Sequence, residues 1–407
     1  MENDKLWVRR TVLFLSSQTI SLFGSSLVQY AIIWYVTLTT KSGVMMTLST
    51  LCGVLPQILI SLPAGVWADR FSRKKLIIGA DVLTAASTLM LALFFITGHG
   101  ALWLIFLVSG IRSIGAGIQM PAVSAVIPQL VPTDKLMKVN GINGSVQSFV
   151  LLLSPALSGI MMTYMQMGSI FFVDVVTAAI AVAILGWMGM PKHKREMLPQ
   201  SGSQWADLRE GLSYLWTHPF LKDLIAFYFV IMFLVVPAAI LSPLYVARAF
   251  GPEVWKLTAN EIAFSAGATL GGFLMAAWGG LKSRIHTIAY SCIAFGILIF
   301  SMGLASVFWV FLAVIFITGV VLPAYNIASM TLLQERVEKE YQGRVFGFVQ
   351  IGSAAAMPLG MVVFGPLADI VKIEWLLLGA GVCLVLAGVG MFADRRLRCA
   401  EGSCDPA

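Results

Sequence analysis

Gly65-Val66-Trp67-Ala68-Asp69-Arg70-Phe71-Ser72-Arg73-Lys74-Lys75 sets five charges in a short connection between two long apolar runs, one ending near Trp67 and the next starting at Leu76. A charge at the centre of a membrane costs about 2.5–3.5 kcal/mol, so this cluster belongs at the water boundary, in a tight turn between two spans. The rest of the chain reads the same way. Of its 407 residues 58% are hydrophobic and 12% charged, about half the charged share of a soluble domain. No soluble fold of this length can hide so much apolar surface, and the expected class is an all-α integral membrane protein.

Working outward from the loop, apolar runs fall at about 11–38, 43–68, 76–97, 101–128, 140–166, 169–190, 222–247, 258–280, 285–304, 307–333, 345–370 and 374–393. The run at 11–38 follows Lys5, Arg9 and Arg10, but it is too long for a signal peptide and lacks a small-residue cleavage site, so it reads as the first span. Twelve spans put both termini on one side. All Lys and Arg then face that side except Lys41, Arg248, Lys256 and Lys372 outside and Arg112 within the bilayer. The positive-inside bias makes that side the cytoplasm. The formal charge of +7 is therefore a topology signal, and no nucleic-acid partner is expected. Cys52, Cys292 and Cys383 read as small apolar fillers within spans, and Cys399 and Cys404 as reduced thiols on a cytoplasmic tail. His99, His193, His218 and His286 are scattered without metal-ligand spacing, so neither metal nor cofactor is expected.

The longest polar stretch, 191–221, divides the spans six and six: a first half at 1–190, a second at 222–394, and a tail at 395–407. Within the linker Trp205, Leu208, Leu212, Leu215 and Trp216 recur at helical steps opposite Asp207, Arg209 and Glu210, the pattern of an amphipathic helix on the inner membrane surface. The halves echo each other. Met120-Pro121-Ala122, Val139-Asn140-Gly141 and Ser154-Pro155 are followed in the same order by Leu322-Pro323-Ala324, Val345-Phe346-Gly347 and Met357-Pro358.

Polar residues at membrane depth mark function or helix pairing. Arg112, midway along the fourth run, must face water or an acid. Asp81 and Asp174 lie inside the third and sixth runs, while Glu261 and Asp369 lie nearer span ends; carboxyls at such depth are candidates to carry a proton. Asp81 is expected in an inner-face charge network with Arg112 or the basic loop. Gln18, Ser21, Ser25 and Gln29 share one face of the first run, Asn140, Asn143, Gln147, Ser154 and Ser158 one face of the fifth, and Gln119 accompanies Arg112. Some of these serve helix–helix hydrogen bonds. The others, with Tyr228, Tyr325, Asn326 and Gln350, would line a cavity with dispersed polar partners, suited to a bulky, mostly apolar small molecule.

The pattern Gly65-x-x-x-Asp69-Arg70-x-x-Arg73-Lys74 resembles the signature loop between helices two and three of the major facilitator superfamily of transporters. The resemblance implies twelve helices in two six-helix pseudo-repeats with the substrate path between them. It also implies a latch in which Asp69, braced by Arg73, meets the start of the eleventh helix near Arg344, with Gly65 permitting the approach and Arg70, Lys74 and Lys75 anchored on membrane lipid phosphates. Arg112-Ser-Ile-Gly115-Ala-Gly117 resembles the helix-four motif whose arginine is associated with proton coupling, with Ile114 in place of the usual polar residue and the glycines slipped. Gly141, Val150, Ser154-Pro155, Ser158 and Gly159 resemble a degraded glycine-proline motif of antiporters. Through Leu27–Trp34, Ile77–Asp81, Ile111–Gly115, Phe264–Gly267 and Gly343–Phe346 the whole chain resembles bacterial macrolide-efflux (Mef-type) transporters. That implies a monomer in the cytoplasmic (inner) membrane, exporting macrolides or similar hydrophobic compounds in exchange for protons. A siderophore or a lipid-like metabolite is the alternative cargo. An intramembrane enzyme is disfavoured by the lack of HExxH or a serine–histidine arrangement, and a non-transporting subunit by the Gly65–Lys75 loop. No Walker sequence is present, so the energy must come from an ion gradient.

Overall fold

Each apolar run becomes helix, because a backbone in hydrocarbon must satisfy its own N–H and C=O groups. The computed structural model describes residues 2–189, 212–281, 283–338 and 341–393, and no strand occurs among them. In chain order the helices are α1 (Glu2–Thr40), α2 (Gly43–Arg70), α3 (Arg73–Ile96), α4 (Leu102–Leu130), α5 (Leu136–Tyr164), α6 (Met167–Trp187), α7 (Pro219–Ala239), α8 (Ser242–Ala249), α9 (Val254–Trp278), α10 (Arg284–Leu304), α11 (Phe308–Arg336), α12 (Gln342–Ile370) and α13 (Ile373–Ala393). The single run at 222–247 is broken just after Pro237 into α7 and α8. Eleven segments among the described residues are long and apolar enough to cross a membrane. The run at 258–280 is not one of them; it forms α9, whose first turns carry Lys256, Asn260 and Glu261. Of the amphipathic linker segment, Trp205 and Leu208 lie outside the described residues, as does the tail at 395–407, whereas 212–217 is helical with Leu215 buried and Trp216 exposed.

The chain divides into two compact units. The first comprises Met1–Thr40, Leu48–Met197 and Glu253–Thr258, and the second Lys41–Thr47, Leu198–Pro252 and Ala259–Ala407. In the first, α1 packs on α5 and α6, and α3 on α4 and α6. Small residues set these distances. A Cβ at Gly115 or Gly117 of α4 would collide with Thr84 of α3 or Ile60 of α2, so these two glycines serve close helix approach. Under the charged loop, Phe14, Ala68, Ile77, Ala122, Val126 and Leu185 form a buried apolar cluster that seats the ends of α1–α4 and α6 nearest the loop. In the second unit α10 packs on α11 and α13, and α12 and α13 pack on α7. A Cβ on either Gly296 or Gly381 would come within 2.7 Å of the other's carbonyl oxygen, which makes the α10–α13 contact a near backbone-to-backbone one.

Candidate functional site

The polar residues of the first unit form two tiers. Asp81 and Thr88 lie seven residues apart on α3, Arg112 and Gln119 seven apart on α4, and Ser21 and Ser25 four apart on α1. Seven residues are two turns, about 10 Å, so each helix shows both tiers on one face. In the tier nearer the charged loop Ser21 Oγ donates to Asp81 Oδ1 at 2.7 Å. Gln119 Nε2 donates to the same oxygen at 3.0 Å and to Gln18 Oε1 at 3.2 Å. Asp81 is 3% exposed, and its Oδ2 is buried without a hydrogen-bond partner.

In the second tier Arg112 Nη1 is ion-paired with Asp174 Oδ2 and donates to Thr88 Oγ1 at 2.7 Å, while Nη2 donates to the carbonyl of Ser25 at 3.1 Å. Ser25 Oγ and Thr88 Oγ1 donate to the two carboxylate oxygens of Asp174 at 2.8 and 3.0 Å. The acid expected beside Arg112 is thus Asp174 rather than Asp81. The seven-residue offset separates Asp81 from the guanidinium and leaves it with a hydroxyl and an amide. Among the described residues Asp81 forms no ion pair. The arrangement separates one compensated buried pair from one carboxyl with a spare oxygen.

In the charged loop Arg73 is tied down. Its Nε donates to the carbonyl of Ala68 at 2.9 Å, Nη1 to that of Ala125 at 2.6 Å, and Nη2 to Asp69 at 3.4 Å. Lys74, expected on lipid phosphate, instead donates to the carbonyls of Gly186 and Met188 at 3.0 and 2.8 Å. The end of α6 exposes carbonyls with no helical partner, and an ammonium in reach satisfies them. The Asp69 side chain remains 61% exposed, Arg70 is exposed, and a Cβ at Gly65 would meet nothing within 4 Å.

On α5, Ser154, Pro155, Ser158 and Gly159 are buried, and Ser158 Oγ donates to the carbonyl of Leu27 on α1 at 3.0 Å. A Cβ at Gly159 would strike Thr258, whereas Gly141 is exposed with open space beside it. Of the residues proposed to line a cavity, Gln18, Gln29, Gln119 and Asn143 are half-buried and Gln147 is exposed in the first unit. In the second, Asn326 and Gln350 are exposed. Tyr325 is 1% exposed, stacks on Tyr228 at 6.0 Å between ring centroids, and borders a space of only about 10 Å³.

A second charged helix end lies in the second unit. Asp369, at the end of α12, accepts from Ser42 Oγ at 2.7 Å and from the N–H groups of Gly43 and Val44 at 2.7 and 3.0 Å, capping the start of α2. Arg248 Nη2 pairs with Asp369 at 2.6 Å, and the same guanidinium reaches the carbonyls of Lys41 and Ala368. Gly365 allows this approach, since a Cβ there would collide with Thr47 and come within 2.8 Å of the Gly43 carbonyl oxygen.

The Major Facilitator Superfamily profile matches residues 14–360 and 255–398. The chain belongs to the Major Facilitator Superfamily. It is accordingly a multi-pass membrane transporter and not an enzyme. This facilitator is similar to Macrolide efflux protein A of Streptococcus pyogenes, with 30% identity over 390 residues, 95% of this chain and 96% of that one. It is also 32% identical to Macrolide efflux protein A of Enterococcus faecalis over 322 residues, 78% of this chain and 100% of that one. The crystal structure of the nucleoside transporter NupG superposes with a TM-score of 0.70 at 14% identity, covering 96% of this chain and 100% of that one. Two features of the facilitator escaped the sequence reading. Thr88 sits two turns from Asp81, and that spacing was a usable signal for the second tier. Gly365-Pro-Leu-Ala-Asp369 at the C-terminal end of α12 repeats the Gly65-Val-Trp-Ala-Asp69 pattern at the C-terminal end of α2, and the repeat pointed to the Asp369 cap.

Proposed function

We propose that this facilitator exports bulky hydrophobic compounds of the macrolide type in exchange for protons, as a monomer in the bacterial cytoplasmic membrane with both termini in the cytoplasm. The observation that carries the efflux reading is 30% identity to a macrolide efflux protein over 95% of the chain. Asp81 is the proton carrier in this proposal. Its partners are neutral, and the unused Oδ2 can hold a proton without breaking either existing hydrogen bond. The Arg112–Asp174 pair, with Ser25 and Thr88, holds α1, α3, α4 and α6 in register around it. Protonation of Asp81 from outside and release inside would run opposite to the cargo. One charge through ~100 mV is worth about 2.3 kcal/mol, a roughly 50-fold gradient of a neutral compound. The half-buried polar residues of α1, α4 and α5 are the proposed cargo contacts, and Arg70 and Lys75 the proposed contacts to lipid phosphates.

The test is uptake of labelled erythromycin into inside-out proteoliposomes under an imposed pH gradient. Accumulation that collapses with an uncoupler and is lost in Asp81→Asn supports the reading. Uptake indifferent to the pH gradient but driven by sodium overturns the proton assignment. Protection of cells against no lipophilic drug, together with secretion of a catecholate siderophore that depends on this protein, moves the cargo to the alternative class.

A further inference from the structure

The second unit contains a cavity of about 100 Å³ that the proton pathway and the charged helix ends do not use. It lies where the run at 222–247 breaks, beside Ser242 at the start of α8, and is closed by Asn260 and Glu261 of α9, Thr318 of α11, and the rings of Phe264 and Phe295. The remaining wall is aliphatic.

Its polar groups are nearly all acceptors. Asn260 is 1% exposed; its side chain donates to Ser242 Oγ at 3.3 Å and hydrogen-bonds to Glu261, while its Oδ1 is buried with no partner. Thr318 uses its hydroxyl proton on the carbonyl of Val314 at 2.8 Å, leaving lone pairs. Glu261 forms no ion pair among the described residues, and Lys256, one turn away on α9, is engaged by Glu253 at 2.9 Å. Glu261 is half-buried with one neutral donor, Asn260, and the Asn260 amide oxygen is a buried orphan, so both gain from a further donor.

The occupant must therefore donate hydrogen bonds, carry positive charge and fill apolar space. A hard metal ion fits poorly, because it asks for six or more oxygen ligands, and no cluster of three candidate ligands occurs among the described residues. The volume is about two-thirds of the ~150 Å³ cavity that admits benzene, room for an alkylated ammonium head but not for a ring system. Phe264 and Phe295 line the space, and aromatic rings attract such a head. We propose that this cavity is a binding site for the protonated tertiary amine of an amphipathic ligand, with Glu261 as counter-ion and Asn260 Oδ1 as hydrogen-bond acceptor. The proposal deepens the export reading and rests on it only in identifying the ligand as cargo. It makes the facilitator select compounds bearing an amine over neutral ones of equal size.

Binding separates the site from the export reading. Full-length protein in lipid nanodiscs is titrated with N,N-dimethyl-4-phenylbutylamine, protonated at pH 7, and with its neutral amide N,N-dimethyl-4-phenylbutanamide, followed by saturation-transfer NMR. Wild type should bind the amine about tenfold or more tightly than the amide, the scale of one hydrogen bond to a charged partner. Glu261→Gln should bring the two to equal affinity, and Glu261→Asp should keep part of the preference. Ala239→Leu, which adds bulk at the cavity wall and leaves Glu261 in place, should remove the preference as well, and it decides the matter if Glu261→Gln fails to fold. Equal binding of both compounds by wild type, or an undiminished preference in Glu261→Gln or Ala239→Leu, overturns the site. Amine binding that depends on Glu261 in a protein that exports no drug leaves the site standing and overturns the export reading instead.

Discussion

Arg112 and Asp174 show what a buried charge requires. Each is almost wholly removed from solvent, at 7% and 0% exposure, and the two pair with each other and hydrogen-bond to Ser25 and Thr88, with Arg112 Nε alone left buried and without a partner. Removing one member of such a pair strands the other, at a cost of about 3–5 kcal/mol, whereas replacing both with apolar residues of similar volume is close to neutral. Asp174→Ala is therefore expected to lower the melting temperature of the purified protein sharply, and Arg112→Met with Asp174→Leu to recover most of the loss. Equal melting temperatures for wild type and Asp174→Ala would show that the pair carries no stability. Asp81 differs in kind. Asp81→Asn keeps both hydrogen-bonding neighbours supplied, so its melting temperature should stay near that of wild type while pH-driven uptake disappears, and a circular dichroism melt beside the transport assay checks both. The three ionisable residues were legible in the sequence because charge at membrane depth is rare. Their pairing was not, because Asp174 comes from α6, and only the packing of α6 between α1 and α3 brings it to Arg112.

At the scale of elements, helix ends decide what can be held in place. The start of α2 exposes N–H groups with no intrahelical partner and a positive dipole end, and the Asp369 carboxylate supplies both acceptors and charge. An anion at a helix N-terminus contributes about 0.3–2 kcal/mol, and Arg248 adds donors from the neighbouring α8. Asp369→Ala should thus lower the melting temperature by a few degrees and raise the labelling rate of a cysteine placed at Ser42 in otherwise cysteine-free protein. Unchanged labelling would mean the cap does not hold α2. In α5, Ser158 stands where the antiporter-type motif expects glycine, yet its hydroxyl turns inward to the carbonyl of Leu27. The run of small residues was readable from composition; which of them touches backbone and which faces open space was not, because that depends on the rotation of α5 about its own axis.

For the whole molecule, export requires the chain to visit more than one arrangement, and the charged loop is the place to perturb that balance without harming the fold. Arg73 and Lys74 are bound to backbone carbonyls and so belong to the fold. Asp69 is 61% exposed, so its substitution removes little packing. Asp69→Asn is expected to leave abundance and membrane insertion near normal while reducing drug efflux several-fold, with a changed pattern of cysteine accessibility around the loop. Efflux and labelling both identical to wild type would show that the loop has no part in switching. The class of the protein was determined by the sequence alone: apolar runs long enough for a bilayer, interrupted by charges that only a water boundary tolerates, leave no choice but membrane helices, and the Gly65–Lys75 pattern narrows these to one superfamily. Hydropathy is local, so it survives without coordinates. Tertiary structure alone decided which buried acid compensates Arg112, that Lys74 caps α6 instead of reaching lipid, that Asp369 caps α2, and that Glu261 shares a cavity with an orphan amide oxygen. Each of these depends on side chains far apart in the chain meeting at hydrogen-bond distance, and that geometry comes from how close small residues let the helices pack and how each helix is turned about its axis.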